Sequence, residues 1–313
     1  MLYFIVDNMN RGASLIVDQD QKCELAQLNL DAGERAISQS AFTSAEKYLL
    51  TGLSLLGPDS WENQYYDLTL QLHDAASEAL YVTGNFGELS ALASKPLMHA
   101  RTFEDKLNIY NNLVRASSGT FLKAFNRLLD QLKNLLTKTF TISFKASCNY
   151  VEGLNTCLNI LSQLGEYIPA EVNADIYVNE VAQVKELLHG KTRQELLSLP
   201  KMTETNALAA MQFLSHALTM SYASSPMLNP ILVFRMVKMT ILHGICNISS
   251  FAFGCYGAWL VSEPTCDIEG GHRMGRMAIE MMKRLGAIEM MPRLYVPVYG
   301  FTNIWKGKKC LYD

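Results

Sequence analysis

Two short stretches hold the residue types that phosphate chemistry uses. "HGKT" at 189–192 ends like a phosphate-binding loop, whose backbone amides cradle phosphates while a lysine reaches the terminal ones. Such a loop needs a glycine five positions before its second glycine, and Lys185 stands there, inside a helical stretch. The plainer reading makes Gly190 a helix C-cap and Thr192 an N-cap, with Glu195 closing a capping box. "GHRMGRM" at 271–277 has the outline of a kinase catalytic loop, but Met274 occupies the place of the catalytic aspartate. No glycine-rich loop or DFG accompanies it. His73, His99, His189, His216, His243 and His272 are scattered, with no HExxH and no close carboxylate pairing, and read as surface or core groups. Cys255 and Cys266 read as small core residues rather than nucleophiles. No catalytic, cofactor-binding or metal-binding set emerges, so the expectation is a chain that is not an enzyme.

The bulk composition supports that reading. Of 313 residues, 49% are apolar and 18% charged, which suits helices buried on more than one side. The net charge is −3 and no basic block exists, so nucleic acid is not an expected partner. The 7 cysteines form no CxxC and their number is odd, which argues against a disulfide framework and a zinc site and for a reduced, cytoplasmic chain. The opening "MLYFIVDNMNRGASL" lacks the basic n-region of a signal peptide. Residues 239–262, "MTILHGICNISSFAFGCYGAWLVS", carry no formal charge and are long enough to span a bilayer. His243, Gly244, Asn247, Ser249 and Ser250 interrupt their middle, so a buried helix–turn–helix is the favoured reading and a membrane span the alternative.

The elements that must position these residues are helical almost throughout. Apolar or small residues recur at Ala45, Leu49, Gly52, Leu53 and Leu56 until Gly57-Pro58 stops the helix. Asp59 with Glu62 predicts a capping box opening a helix from Trp61 to Val82. Further helices are expected from Phe86 to Ala100, Phe103 to Ala116 and from Tyr150, then at 173–189, 204–223, 227–243, 248–262 and 267–285. Residues 117–147 break the pattern, and "TKTFTISF" at 137–144 alternates with the period of a strand. The organisation read from this pattern is helical repeats over 1–116, an irregular insert over 117–147, helical repeats over 148–306 and a tail over 307–313. Within the helical part, the Ile168 to Glu171 region is the best point of division.

One unit recurs. A tetratricopeptide repeat is a helix–turn–helix of about 34 residues in which small residues let two helices approach and an aromatic fills the gap over the next unit. Phe42 at the aromatic position puts Ala45, Leu49 and Gly52 at packing positions, with Gly33 and Ala36 on the preceding helix. Phe86 brings Leu89, Ala93 and Pro96, with Ser77 and Leu80 upstream; Tyr150 brings Gly153, Cys157 and Ile160. The spacings exceed the regular repeat, and no unit has the full first-helix signature. The fold expected is therefore all-α, a right-handed α-solenoid of degenerate tetratricopeptide-like pairs, because one pair cannot bury its own apolar face.

The run from Leu25 to Phe86, "LAQLNLDAGERAISQSAFTSAEKYLLTGLSLLGPDSWENQYYDLTLQLHDAASEALYVTGNF", resembles the helical region of large multidomain signalling kinases of bacteria and algae. "LNTCLNILSQLGEYIP", "LLSLPKMTE", "SPMLNPILVFRMVKMTILHG", "FGCYGAWLV" and "YVPVYGFTNIWK" extend the resemblance over roughly 3–115 and 148–306. In that family a serine/threonine-kinase-like domain and an AAA-type ATPase precede the helical region, and a GAF sensor with a histidine-kinase module follows. The resemblance implies a non-catalytic scaffold that couples such modules. It also implies that 117–147 is an addition and that "GKKCLYD" leaves the family pattern. The alternative is a freestanding adaptor that binds a peptide or protein. "HRMGRMAIEMMKRLG" at 272–286 is a basic, methionine-rich amphipathic helix whose alternative reading is a calmodulin-like target, against the plainer reading of core packing.

Overall fold

The computed structural model describes residues 1–62, 64–117, 150–169, 171–262 and 265–302. The strand-like stretch at 137–144 and the 307–313 tail lie outside the described residues, as does the 117–147 insert beyond its first residue. The chain divides into two compact units, Met1–Cys148 and Asn149–Asp313. Among the described residues the fold is all-helical, with no strand and a single isolated bridge between Lys201 and Ile245.

The first unit contains α1 (Leu2–Arg11), α2 (Gln19–Ser38), α3 (Phe42–Leu55), α4 (Tyr66–Thr83), α5 (Phe86–His99) and helical residues 107–117, here α6. Asp18 caps α2, its carboxylate accepting from the backbone N–H of Asp20 at 2.7 Å and of Gln21 at 3.1 Å. Each helix packs on the next in sequence: α1 on α2, α2 on α3, α3 on α4 and α4 on α5, while α2 also reaches α4. Leu25, Leu30, Leu49 and Leu72 fill the space between them, all at most 1% exposed. Each such leucine contributes about 1.5–3 kcal/mol of burial. The capping box expected at Asp59 does not form. Pro58–Trp61 make a 3-10 turn instead, and α4 opens only at Tyr66 with no side-chain cap. The proline sets the φ of a tight turn there, and the displaced Trp61 swings into the core at 7% exposure.

The second unit contains α7 (Tyr150–Gln163), α8 (Ala174–Leu188), α9 (Arg193–Leu197), α10 (Thr205–Ser224), α11 (Asn229–His243), α12 (Ser249–Val261), α13 (Ile268–Leu285) and α14 (Met291–Pro297). Here the pairing is interleaved: α7 packs on α10 and α8 on α11, while α10 to α13 follow one another and α14 returns to α12. The Ile168-Pro169 stop is therefore a turn within this unit, not its boundary. Residues 239–262 form the expected helix–turn–helix, with α11 ending at His243 and α12 starting at Ser249. Gly244 makes the turn at φ +102°, and a Cβ there would sit 2.4 Å from the Pro200 carbonyl oxygen. That close approach lets Ile245 N–H donate to Pro200 O at 2.7 Å and Ile245 O accept from Met202 N–H at 2.9 Å, closing the bridge. No helix among the described residues is long and apolar enough to cross a membrane.

Candidate functional site

The phosphate-like stretches are structural. Lys185 lies in α8, Gly190 follows its C-cap at φ +71°, and Thr192 opens α9 with the capping box complete. Glu195 Oε2 accepts from Thr192 N–H at 2.7 Å. "GHRMGRM" runs inside α13. Among the described residues no group of three metal-ligating side chains converges. His243 Nδ1 meets Glu204 Oε2 at 3.1 Å across the fold, a pairing their sequence separation conceals. Desolvation pushes the thiols of Cys157 and Cys255 up to about 12, so neither is a thiolate near neutral pH.

The packing positions sort by helix. Gly33 and Ala36 are buried on α2, and Ala45, Leu49 and Gly52 on α3. A Cβ on Gly33 would stand 2.5 Å from Leu49 Cγ and Cδ2; one on Gly52 would stand 2.9 Å from Leu72 Cδ2 and 3.2 Å from Asn29 Cβ. Leu80 on α4 meets Leu89 from α5, with Phe86 half-buried against them, and Ala93 lies buried on α5. Gly153 and Cys157 are buried on α7. Phe42 and Tyr150 are half-buried.

The α13 helix turns its apolar face inward. Met277, Met281 and Met282 are at most 3% exposed, whereas Arg273, Arg276, Lys283 and Arg284 are exposed. The methionine face that a calmodulin-like partner would grip is therefore occupied by the chain's own core. Close approach to α12 makes this possible: a Cβ on Gly257 would lie 2.9 Å from Gly271 O and 3.3 Å from Gly275 N.

Two surface concavities stand out. In the first unit, a cleft of about 540 Å³ opens between α3, α4, α5 and the 3-10 turn. Leu53, Leu56, Ala91 and Leu92 supply apolar wall, and Trp61, His73, Lys95 and His99 the remaining chemistry. Trp61 has its ring centroid 5.0 Å from His73 and 5.9 Å from His99, stacked on the latter. His73 is 5% exposed, and its Nδ1 lies 2.8 Å from Thr69 O. A carbonyl only accepts, so Nδ1 carries the proton. Desolvation lowers the imidazole to about 4, helped by the Lys95 charge, so the ring is neutral and Nε2 offers a lone pair. Sequence reading missed this site. The available signal was Thr69, His73 and Ala76 on one face of a helix, which puts a histidine among core residues.

In the second unit, a concavity of about 480 Å³ is lined by Glu166, Gln183, Arg235, Lys238 and His243 among others. Its lysine and arginine are already paired with carboxylates. Glu180, 4% exposed, accepts from Lys238 Nζ and Arg235 at 2.6 Å each, Lys238 also donates to Gln183 at 2.8 Å, and Arg235 lies 3.6 Å from Glu166.

Among known proteins, the chain is similar to the hybrid signal transduction histidine kinase G of Dictyostelium discoideum, at 24% identity over 305 residues. That alignment takes in 90% of this chain and 8% of the much longer kinase. No family model matches the chain, and no solved structure matches it.

Proposed function

We propose that the chain is a non-catalytic helical-repeat module of a multidomain signalling protein, built as a right-handed α-solenoid of degenerate tetratricopeptide-like pairs. Its exposed helical faces dock neighbouring domains or a protein partner. The observation that carries this reading is the interlock of α2, α3 and α4. Gly33 takes in Leu49, Gly52 takes in Leu72, and α2 touches both α3 and α4. That is the small-residue approach and pair-on-pair contact on which tetratricopeptide stacking depends. Similarity to a hybrid histidine kinase along 90% of the chain supports a place in signal transduction. On this reading, ATP-binding and phosphotransfer chemistry belong to kinase-like and AAA-type modules outside these residues. The chain works in the cytoplasm and uses no cofactor.

The test is to mix the purified chain with ATPase and kinase modules encoded in the same reading frame and to assay the chain alone for ATP hydrolysis. Saturable binding to a module, with no hydrolysis by the chain, is the expected result. Hydrolysis by the chain itself overturns the reading. A reading frame that encodes no such modules transfers the proposal to a freestanding adaptor.

A further inference from the structure

The cleft of the first unit differs from the concavity of the second in what it leaves unmatched. Lys238 and Arg235 already face Glu180 and Glu166, so the second unit's concavity offers no unmatched lysine or arginine. In the first unit, Lys95 is exposed and has no carboxylate partner among the described residues. No aspartate or glutamate is among the cleft's described lining residues. His73 Nδ1 is held by Thr69 O, which leaves Nε2 as the ring nitrogen available to the cleft that His73 lines, and the residue as a whole is 5% exposed.

We propose that this cleft is a binding site for a small organic anion carrying an N–H or O–H donor on an apolar or aromatic body. The donor meets His73 Nε2, the body lies against Trp61 and the Leu53, Leu56 and Leu92 wall, and the anionic group meets Lys95 at the mouth. A volume of about 540 Å³ falls within the range of ligand pockets, roughly 300–1,000 Å³, in which a few fixed polar groups orient a ligand against apolar walls. The tautomer gives the selectivity. With Nδ1–H committed to Thr69 O, the site presents an acceptor and a cation, and so rejects cations and ligands that only accept.

The probes are indole-3-acetate and 4-hydroxyphenylacetate, each pairing one donor with one carboxylate on an aromatic body. They are titrated into the full chain by calorimetry. Saturable one-to-one binding is expected. 1-Methylindole-3-acetate, which lacks the donor, should bind about fivefold more weakly, the size of one net hydrogen bond. The methyl ester of indole-3-acetate should lose about two- to fivefold in a salt-sensitive way, as expected for an exposed ion pair. His73→Phe should abolish the preference for indole-3-acetate over its N-methyl analogue, and Lys95→Met the preference for acid over ester. Far-ultraviolet circular dichroism confirms that each variant is folded. No saturable heat from either probe at millimolar concentration overturns the proposal, and so does a folded His73→Phe that keeps its preference for the N–H form.

Discussion

The two units solve the same packing problem with different partners. In the first, neighbours in sequence are neighbours in space, and two helical glycines make room for leucine side chains, Gly33 for Leu49 and Gly52 for Leu72. In the second, α7 reaches past two helices to α10 and α8 past two to α11, and Gly257 makes room for the backbone of α13 itself. The polar content differs as well. The second unit buries an ionic group, Glu180 between Arg235 and Lys238, beside aromatic rings in which Phe234 and Trp259 stand edge-on at 4.7 Å. Local stacking in the first unit buries hydrogen-bonded polar side chains such as Asn29, Ser77 and Asn112, but no ion pair among the described residues. Interleaved stacking brings together residues whose charges and shapes must match across long sequence separations.

The sharpest way to break this contrast is at Glu180. Glu180→Leu leaves Lys238 and Arg235 facing one another with the intervening carboxylate gone, and should destabilise the second unit by about 3–5 kcal/mol. Urea unfolding followed by Trp259 fluorescence reads that unit, and Trp61 reads the other. A shift in the Trp61 transition of equal size would show that the units do not differ as described.

Next in size are the glycines. Gly257→Ala drives a Cβ into the α13 backbone, which can only move away, and should cost about 2–3 kcal/mol. Gly33→Ala meets the Leu49 side chain, which can rotate, and alanine's helix propensity returns up to about 1 kcal/mol, leaving a net cost of about 1–2 kcal/mol. Equal losses at the two sites would erase the distinction between side-chain and backbone interlock.

The smallest net change in the parent lies in pH, where two groups of the first unit oppose each other. Burial pushes the Asp74 carboxyl up to about 6, with the nearby Asp105 charge adding to it, and lowers His73 to about 4. The folded first unit holds the Asp74 proton to higher pH than the unfolded chain, so that group's contribution falls as pH rises from about 4 to 6. His73 is harder to protonate when folded, so its contribution falls as pH drops from the ordinary histidine range toward 4. Within about pH 4–6 the two oppose each other. Relative to the parent, His73→Phe should gain stability on acidification through that window and Asp74→Asn should lose it. Two variants that track the parent in parallel would show that neither group senses folding.

Much of the helical framework was legible because period and punctuation agree. Gly84 ends α4, Pro230 sits in the first turn of α11, and Thr192 with Glu195 opens α9, as the residue types dictate. The apolar face of "HRMGRMAIEMMKRLG" was visible too, and burial against α12 settled what covers it. The misplaced start of α4 shows where local signals fail. Asp59 and Glu62 satisfy a capping pattern, but Pro58 tightens the chain and Trp61 gains more by entering the core than a cap would return. The cleft was not legible, since Trp61, His73 and Lys95 carry no common spacing and meet only when α4 and α5 close around the turn.

The sequence by itself determined that the chain is helical and where most helices stop, because side-chain period and the φ limits of proline and glycine act within a few residues. It also determined that no familiar catalytic motif is present. Only the tertiary structure decided that α7 joins α10, that Glu180 lies between Arg235 and Lys238, and that His73 lines a cleft with its Nδ1–H held by Thr69 O. Those outcomes depend on which surfaces exclude water together. Apolar burial has no direction along the chain, so it names the faces to be covered without naming their partners.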